Sequence, residues 1–231
     1  MLKNFKPIII IAGDPKSIFL EIYFKSLKKN KFKNPLILIV NENILLEQMR
    51  ALKYKFKINK LDLKNLNHKK LNNKKINIIH VPFNRKFLSE YIYRSFEKAL
   101  LLAKKNDKIN LINGPINKKK ILKQRFLGIT EYLDFKTNSK GKSVMLIYNK
   151  DLSVSPLTTH LPLKKVHKFI SKKKIINHVK QITNFYKKNF NFVPKIGITG
   201  LNPHCESNFH KSEEEKIIIP AVKYLSKKRF K

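Results

Sequence analysis

Short runs of Ile, Leu and Val recur along this 231-residue chain, and each is followed by a longer stretch whose apolar residues fall at helical spacing. That alternation limits the available folds more than any other feature. Apolar runs at 7–12, 36–40, 76–81, 109–112, 144–148 and 196–199 read as strands. The stretches at 18–27, 42–52, 89–104, 118–127, 163–189 and 213–228 read as helices, with Tyr93, Phe96, Leu100 and Leu101 one instance of the spacing. Strands interleaved with helices predict an α/β sandwich with a largely parallel sheet. The segment 131–142 reads as a connection between two domains, 1–130 and 131–231, and the Asn- and Lys-rich stretch 60–75 as a surface excursion without motif content.

A hydrophobic fraction of 42% gives a chain of this length a real core. The formal charge of +36 raises nucleic acid or an anionic membrane as partners. The distribution of that charge argues against both. Arginine, the residue suited to bidentate base and phosphate contacts, is confined to Arg50, Arg85, Arg94, Arg125 and Arg229. Lysines are scattered over every predicted surface beside abundant Asn, Ile and Phe, the signature of A/T-rich codon usage on an ordinary fold. Weak, salt-sensitive association with polyanions follows from charge alone, without specific nucleic-acid binding. The single cysteine, Cys205, suits a reducing compartment, the first residues lack a signal cleavage site, and the run at 8–11 is too short to span a bilayer. A cytoplasmic protein without membrane attachment is the expectation.

Four segments place Gly, Pro and polar residues directly after predicted strands: Ala12-Gly13-Asp14-Pro15, Asn113-Gly114-Pro115-Ile116-Asn117-Lys118, Pro156-Leu157-Thr158-Thr159-His160 and Gly200-Leu201-Asn202-Pro203-His204. Each alone is weak, because strand-end turns use these residues for conformational reasons. Histidines just past strand ends, however, sit where open α/β sheets place their ligands. Bland readings stand beside each candidate. Asp14 can serve only an Asx-type turn before Pro15, Lys118 can be solvated helix surface in its Lys118-Lys119-Lys120 run, and Glu131 can favour a helix start. His68, His80, His167, His178 and His210 have no motif context and read as surface or structural histidines, and Cys205 as a small packing residue.

Taken in this order the segments resemble 4-hydroxythreonine-4-phosphate dehydrogenases, the pyridoxal phosphate biosynthesis family. The resemblance rests on Ala12 to Pro15 with Glu21 downstream, Gly114 to Lys118, Gly128-Ile129-Thr130-Glu131, Thr158-Thr159-His160-Leu161-Pro162-Leu163, Gly200 to His204, and the Glu213-Glu214 pair with Pro220. It implies a two-domain fold like that of isocitrate and isopropylmalate dehydrogenases, and a homodimer. It also implies a divalent metal (zinc, magnesium or cobalt) and NAD or NADP. The implied chemistry oxidises the secondary alcohol of 4-phosphooxy-L-threonine to a ketone and releases carbon dioxide. The metal would lower the alcohol pKa and stabilise the enolate. By the same resemblance His160 and His204 are two of three metal-ligating histidines and Thr130 touches substrate, with Asp14, Asn117, Lys118 and Glu131 as weaker site candidates.

The chain also departs from the family pattern. A third metal histidine, in a Tyr-His-Asp-Gln-Gly element beyond the His204 segment, does not occur in these 231 residues. Nor do the lysine, asparagine and arginine expected to hold substrate. No cofactor-binding residues are identifiable, because the region expected to bind nicotinamide lies further on and no Gly-x-Gly-x-x-Gly occurs among the six glycines. The expectation is therefore a fragment, or a chain stopped early, with its second domain incomplete. Ile129 stands where the family has a substrate-contacting histidine, which leaves open another phosphorylated hydroxy acid (a threonate or erythronate phosphate). A catalytically silent remnant that only binds is the reading from a different class.

Overall fold

The computed structural model describes residues 7–63, 71–104, 110–117, 126, 128–139, 143–201, 212–228 and 230. The chain divides into two compact units, Met1–Phe126 and Leu127–Lys231.

The first unit carries a five-stranded, wholly parallel sheet in the order β3-β4-β2-β1-β5. Its strands are β1 (Ile8–Ile11), β2 (Leu36–Val40), β3 (Ile58–Lys60), β4 (Ile76–His80) and β5 (Asn110–Asn113). Its helices are α1 (Phe19–Lys29), α2 (Glu42–Ala51) and α3 (Leu88–Lys104). The central strands are apolar on both faces because both faces are covered. Ile10, Ala12, Leu38, Val40 and Ile78 pack with Leu20 and Phe24 of α1 and Leu45 and Met49 of α2. On the alternate residues Ile9, Ile11, Ile37 and Ile39 are fully buried, and α3 packs against β1 and β2, burying Ile92, Phe96 and Ala99.

Asparagines lock the polar joints of this unit. Asn41 caps α2, its side-chain oxygen accepting from Ile44 N at 3.2 Å while its amide donates to Val81 O at 2.9 Å. Asn73 accepts from Leu36 N at 2.9 Å and donates to the Phe32 and Asn34 carbonyls. The stretch expected to be a featureless surface excursion is therefore anchored at its end, with Leu71 buried beside Asn73. The three-residue β3 was not foreseen. Its pattern, Ile58-Asn59-Lys60, is too short to show alternation, and it is specified by pairing with β4.

The second unit departs further from expectation. Among its described residues there is one antiparallel bridge, Ile147↔Val154, and no sheet. The run at 144–148 is not a buried strand, for Ile147 is 61% exposed. The run at 196–199 is extended with alternate residues Ile196 and Ile198 packed on the core, but no described strand pairs with it. Period-two hydrophobicity fixes which side chains go inward; a ladder needs a neighbour in register, which the pattern does not supply.

Helix replaces the expected connection. α4 (Ile129–Lys136) begins after Gly128, carries Glu131 in its first turn and buries Tyr132. The single helix expected at 163–189 is broken instead. A helical turn at Leu163–Val166 and a 3-10 turn at His167–Phe169 precede α5 (Lys172–Phe190). Ser171 causes the break, because its extended backbone lets Oγ accept from Lys174 N at 3.2 Å as an N-cap. The last helix opens as a π-helix, Glu214–Ile218, and continues as α6 (Ile219–Lys227). Ile175 and Val179 of α5 pack with Ile218, Ala221 and Leu225 to form this unit's core. The helix expected at 118–127 falls almost wholly outside the described residues.

Candidate active site

In the first unit the two glycine turns meet at the carboxyl ends of adjacent strands β1 and β5. Gly13 holds a positive φ of 79°, and a Cβ there would stand 2.4 Å from Pro115 O. A Cβ on Gly114 would stand 2.3 Å from Ala12 O, so neither turn tolerates a side chain. Asp14 N donates to Pro115 O at 2.8 Å, and Asp14 Oδ1 accepts from Lys16 N at 3.0 Å. Asp14 thus closes an Asx turn, the conformational reading of that residue. Glu21 lies in the first turn of α1 and pairs with Lys25 at 2.6 Å on the surface. Asn117 is exposed at the end of the second turn, and Lys118 lies outside the described residues.

In the second unit a cleft of about 890 Å³ gathers residues from four segments, Ser143 to Met145 among them. Thr130, Glu131 and Asp134 of α4 form one side, Pro156 to Thr159 the floor, and Lys173, Lys174, Asn177, His178 and Gln181 of α5 the far side. Thr159 Oγ1 donates to Glu131 Oε1 at 3.3 Å, joining two sequence motifs 28 residues apart. Gly128 makes room for that carboxylate, because a Cβ there would lie 2.9 Å from Glu131 Oε2. Ile129, the first residue of α4, is half-buried and brings no hydrogen-bonding group.

His160 follows this floor, exposed, with a left-handed φ of 56°. Histidine visits that region more readily than most residues, yet such a backbone needs local support. His204, its expected partner, lies outside the described residues. Among the described residues no three His, Cys, Asp or Glu side chains gather as a metal site, so the described donors supply one imidazole, short of a ligand set.

From sequence alone His178 reads as structural, whereas the structure puts it in the cleft wall. Its Nε2 lies 2.6 Å from Ser155 Oγ, and Ser155 Oγ donates to the Met145 carbonyl. Burial, with the Lys174 ammonium one turn away, lowers its pKa below the usual histidine value. The only sequence signal is positional and weak: Lys174, Asn177, His178 and Gln181 fall at i, i+3, i+4, i+7 spacing on a helix that carries many other polar residues.

Residues 31–231 match the family model described as pyridoxal phosphate biosynthetic protein PdxA. The chain belongs to the PdxA family. Among its relatives, the 4-hydroxythreonine-4-phosphate dehydrogenase of Hydrogenobaculum sp. (strain Y04AAS1) is 31% identical over 220 residues, covering 93% of this chain and 70% of the relative. The enzyme of that name from Aquifex aeolicus is 30% identical over 234 residues, covering 98% and 72%. The PdxA-family fold is borne out by solved structures. The Klebsiella pneumoniae 4-hydroxythreonine-4-phosphate dehydrogenase superposes with a TM-score of 0.80 at 22% identity, over 96% of this chain and 72% of that one. The Burkholderia phymatum structure of the same name gives 0.77 at 22% identity, over 99% and 73%. PdxA relatives are named as dehydrogenases, which makes this an enzyme family.

Proposed function

We propose that the second-unit cleft is the substrate site of a PdxA-type dehydrogenase, which oxidises 4-phosphooxy-L-threonine with loss of carbon dioxide in pyridoxal phosphate biosynthesis. The Thr159–Glu131 hydrogen bond carries this reading, because it joins the Gly-x-Thr-Glu and Thr-Thr-His elements within one cleft. Thr130 offers a hydroxyl to the substrate, and Glu131 fixes Thr159. His160 and His204 are the two imidazoles this reading assigns to a divalent metal (zinc, magnesium or cobalt), and the left-handed backbone at His160 supports a constrained role for that residue. The metal, the NAD or NADP acceptor, the homodimer and the cytoplasmic setting enter by family likeness. Asn117 and Lys118 remain weaker site candidates, whereas Asp14 is accounted for by its turn.

A second substrate has its own support. The D-threonate 4-phosphate dehydrogenase of Pectobacterium atrosepticum is 26% identical over 236 residues, covering 96% of this chain. Ile129 leaves no imidazole to choose between the two phosphorylated acids. Reduction of NAD or NADP followed by absorbance, with each acid and each metal supplied in turn, separates the readings. Faster turnover of 4-phosphooxy-L-threonine supports the first reading and faster turnover of threonate 4-phosphate the second; because the third metal histidine and the nicotinamide region do not occur in these 231 residues, a chain that turns over neither acid is judged by binding, and binding of neither acid contradicts the assignment.

A further inference from the structure

Two side chains of α5 reach across to the segment that leads into the Pro156 to Thr159 floor. Tyr186 OH donates to Ser153 Oγ at 2.8 Å, and Ser153 Oγ in turn donates to Asn149 O at 3.0 Å. Eight residues earlier on the helix, His178 meets Ser155 at 2.6 Å. Ser153 and Ser155 are two apart in an extended segment and so share a face, while residues 178 and 186 lie just over two helical turns apart. The helix therefore grips the two residues that flank the bridge residue Val154, just before the chain enters the cleft.

Proton counting fixes the direction of the His178 bond. A serine hydroxyl has one hydrogen, and that of Ser155 goes to the Met145 carbonyl, which can only accept. Ser155 Oγ must then accept from His178, so Nε2 carries the hydrogen and Nδ1 of the neutral ring carries the lone pair. Burial and Lys174 keep the ring in that neutral form at neutral pH.

We propose that His178 is a positioning residue: as the Nε2–H tautomer it holds Ser155 against Met145 and thereby sets the placement of Thr158 and Thr159 along the cleft. No motif of the sequence assigns it this part. The role does not touch the reacting atoms; it acts through Ser155. Its consequence for ligand affinity rests on the cleft being the substrate site, as proposed above.

The test uses the whole 231-residue chain. Nitrogen-15 NMR of the imidazoles is expected to show His178 protonated at Nε2 and bare at Nδ1 near neutral pH; the opposite tautomer overturns the proposal. Amide exchange of Ile147 and Val154, whose N–H groups bond across the bridge next to Ser155, is expected to quicken about fivefold in H178F and in S155A, the effect of one neutral hydrogen bond, with β2 amides unchanged. H178Q, whose side-chain amide can donate from a similar place, restores most of the protection. Uniform acceleration over both units, no acceleration, or failure of H178Q to restore protection each contradict it. S155A keeps the test decisive if H178F does not fold. Affinity for 4-phosphooxy-L-threonine, measured on the same proteins, should fall about fivefold in H178F and recover in H178Q. A wild-type chain that ignores this ligand sinks the substrate reading alone, while tautomer and exchange still decide the tether.

Discussion

Thr159 donates a hydrogen bond from Oγ1 to Glu131 Oε1 across 3.3 Å, and this single contact joins the start of α4 to the floor of the cleft. Glu131 has two functions at once. In the first turn of α4 its charge suits the positive end of the helix, and its oxygen holds the Thr-Thr-His segment. Replacing it with alanine should destabilise the second unit by about 1 kcal/mol, with E131Q retaining much of the loss-sensitive contact. Thermal unfolding of both variants checks this; equal stability of E131A and wild type contradicts it.

Tyr91 is 2% exposed, and burial pushes its phenol pKa up to about 12. Its oxygen accepts from Asn41 N at 3.3 Å at the cap of α2. Y91F leaves that N–H without its partner and should cost about 1 kcal/mol. Spectroscopic titration of the tyrosines in wild type and Y91F should show one late-ionising phenol lost in the variant.

Gly13 is the first unit's least replaceable residue. G13A combines a left-handed φ with a Cβ placed on the Pro115 carbonyl, so a loss of at least about 2 kcal/mol is expected. Denaturant unfolding measures it, and an unshifted midpoint contradicts the interlocked turns.

The histidine in the cleft wall predicts a pH signature. The folded-state pKa of His178 lies below its ordinary value of 6.5, so the unfolded chain binds the extra proton first. Its stability contribution is complete above pH 6.5 and is lost as pH falls through and below that value. Melting temperature between about pH 7 and pH 5 should therefore fall more steeply in wild type than in H178Q. Identical slopes contradict a half-buried neutral imidazole.

The first unit was legible because its strands are buried on both faces and its helices are strongly periodic, which local hydrophobicity records directly. Residues 36–40 matched β2 to the residue. The second unit was less legible. Val144 to Tyr148 has the composition of a strand, yet its exposure is set by neighbours that composition does not name. Ser171 inside a helical pattern was the readable signal of the break before α5, since serine prefers the cap position to the interior. Of the candidate site, motif order names Thr130 and Glu131, and Thr159 only as part of the Thr-Thr-His segment. His178 was not, because its significance comes from Ser155, 23 residues away in sequence.

The most direct measurement is binding of 4-phosphooxy-L-threonine to the 231-residue protein, followed by NMR shifts and by calorimetry, in wild type and T130V. Saturable binding is expected, with shifts concentrated at Thr130, Thr158, Thr159 and His178 and about tenfold weaker affinity in T130V, equivalent to roughly 1.4 kcal/mol. Equal affinity in the two proteins, or shifts that spare those residues, would contradict the placement of the substrate in this cleft.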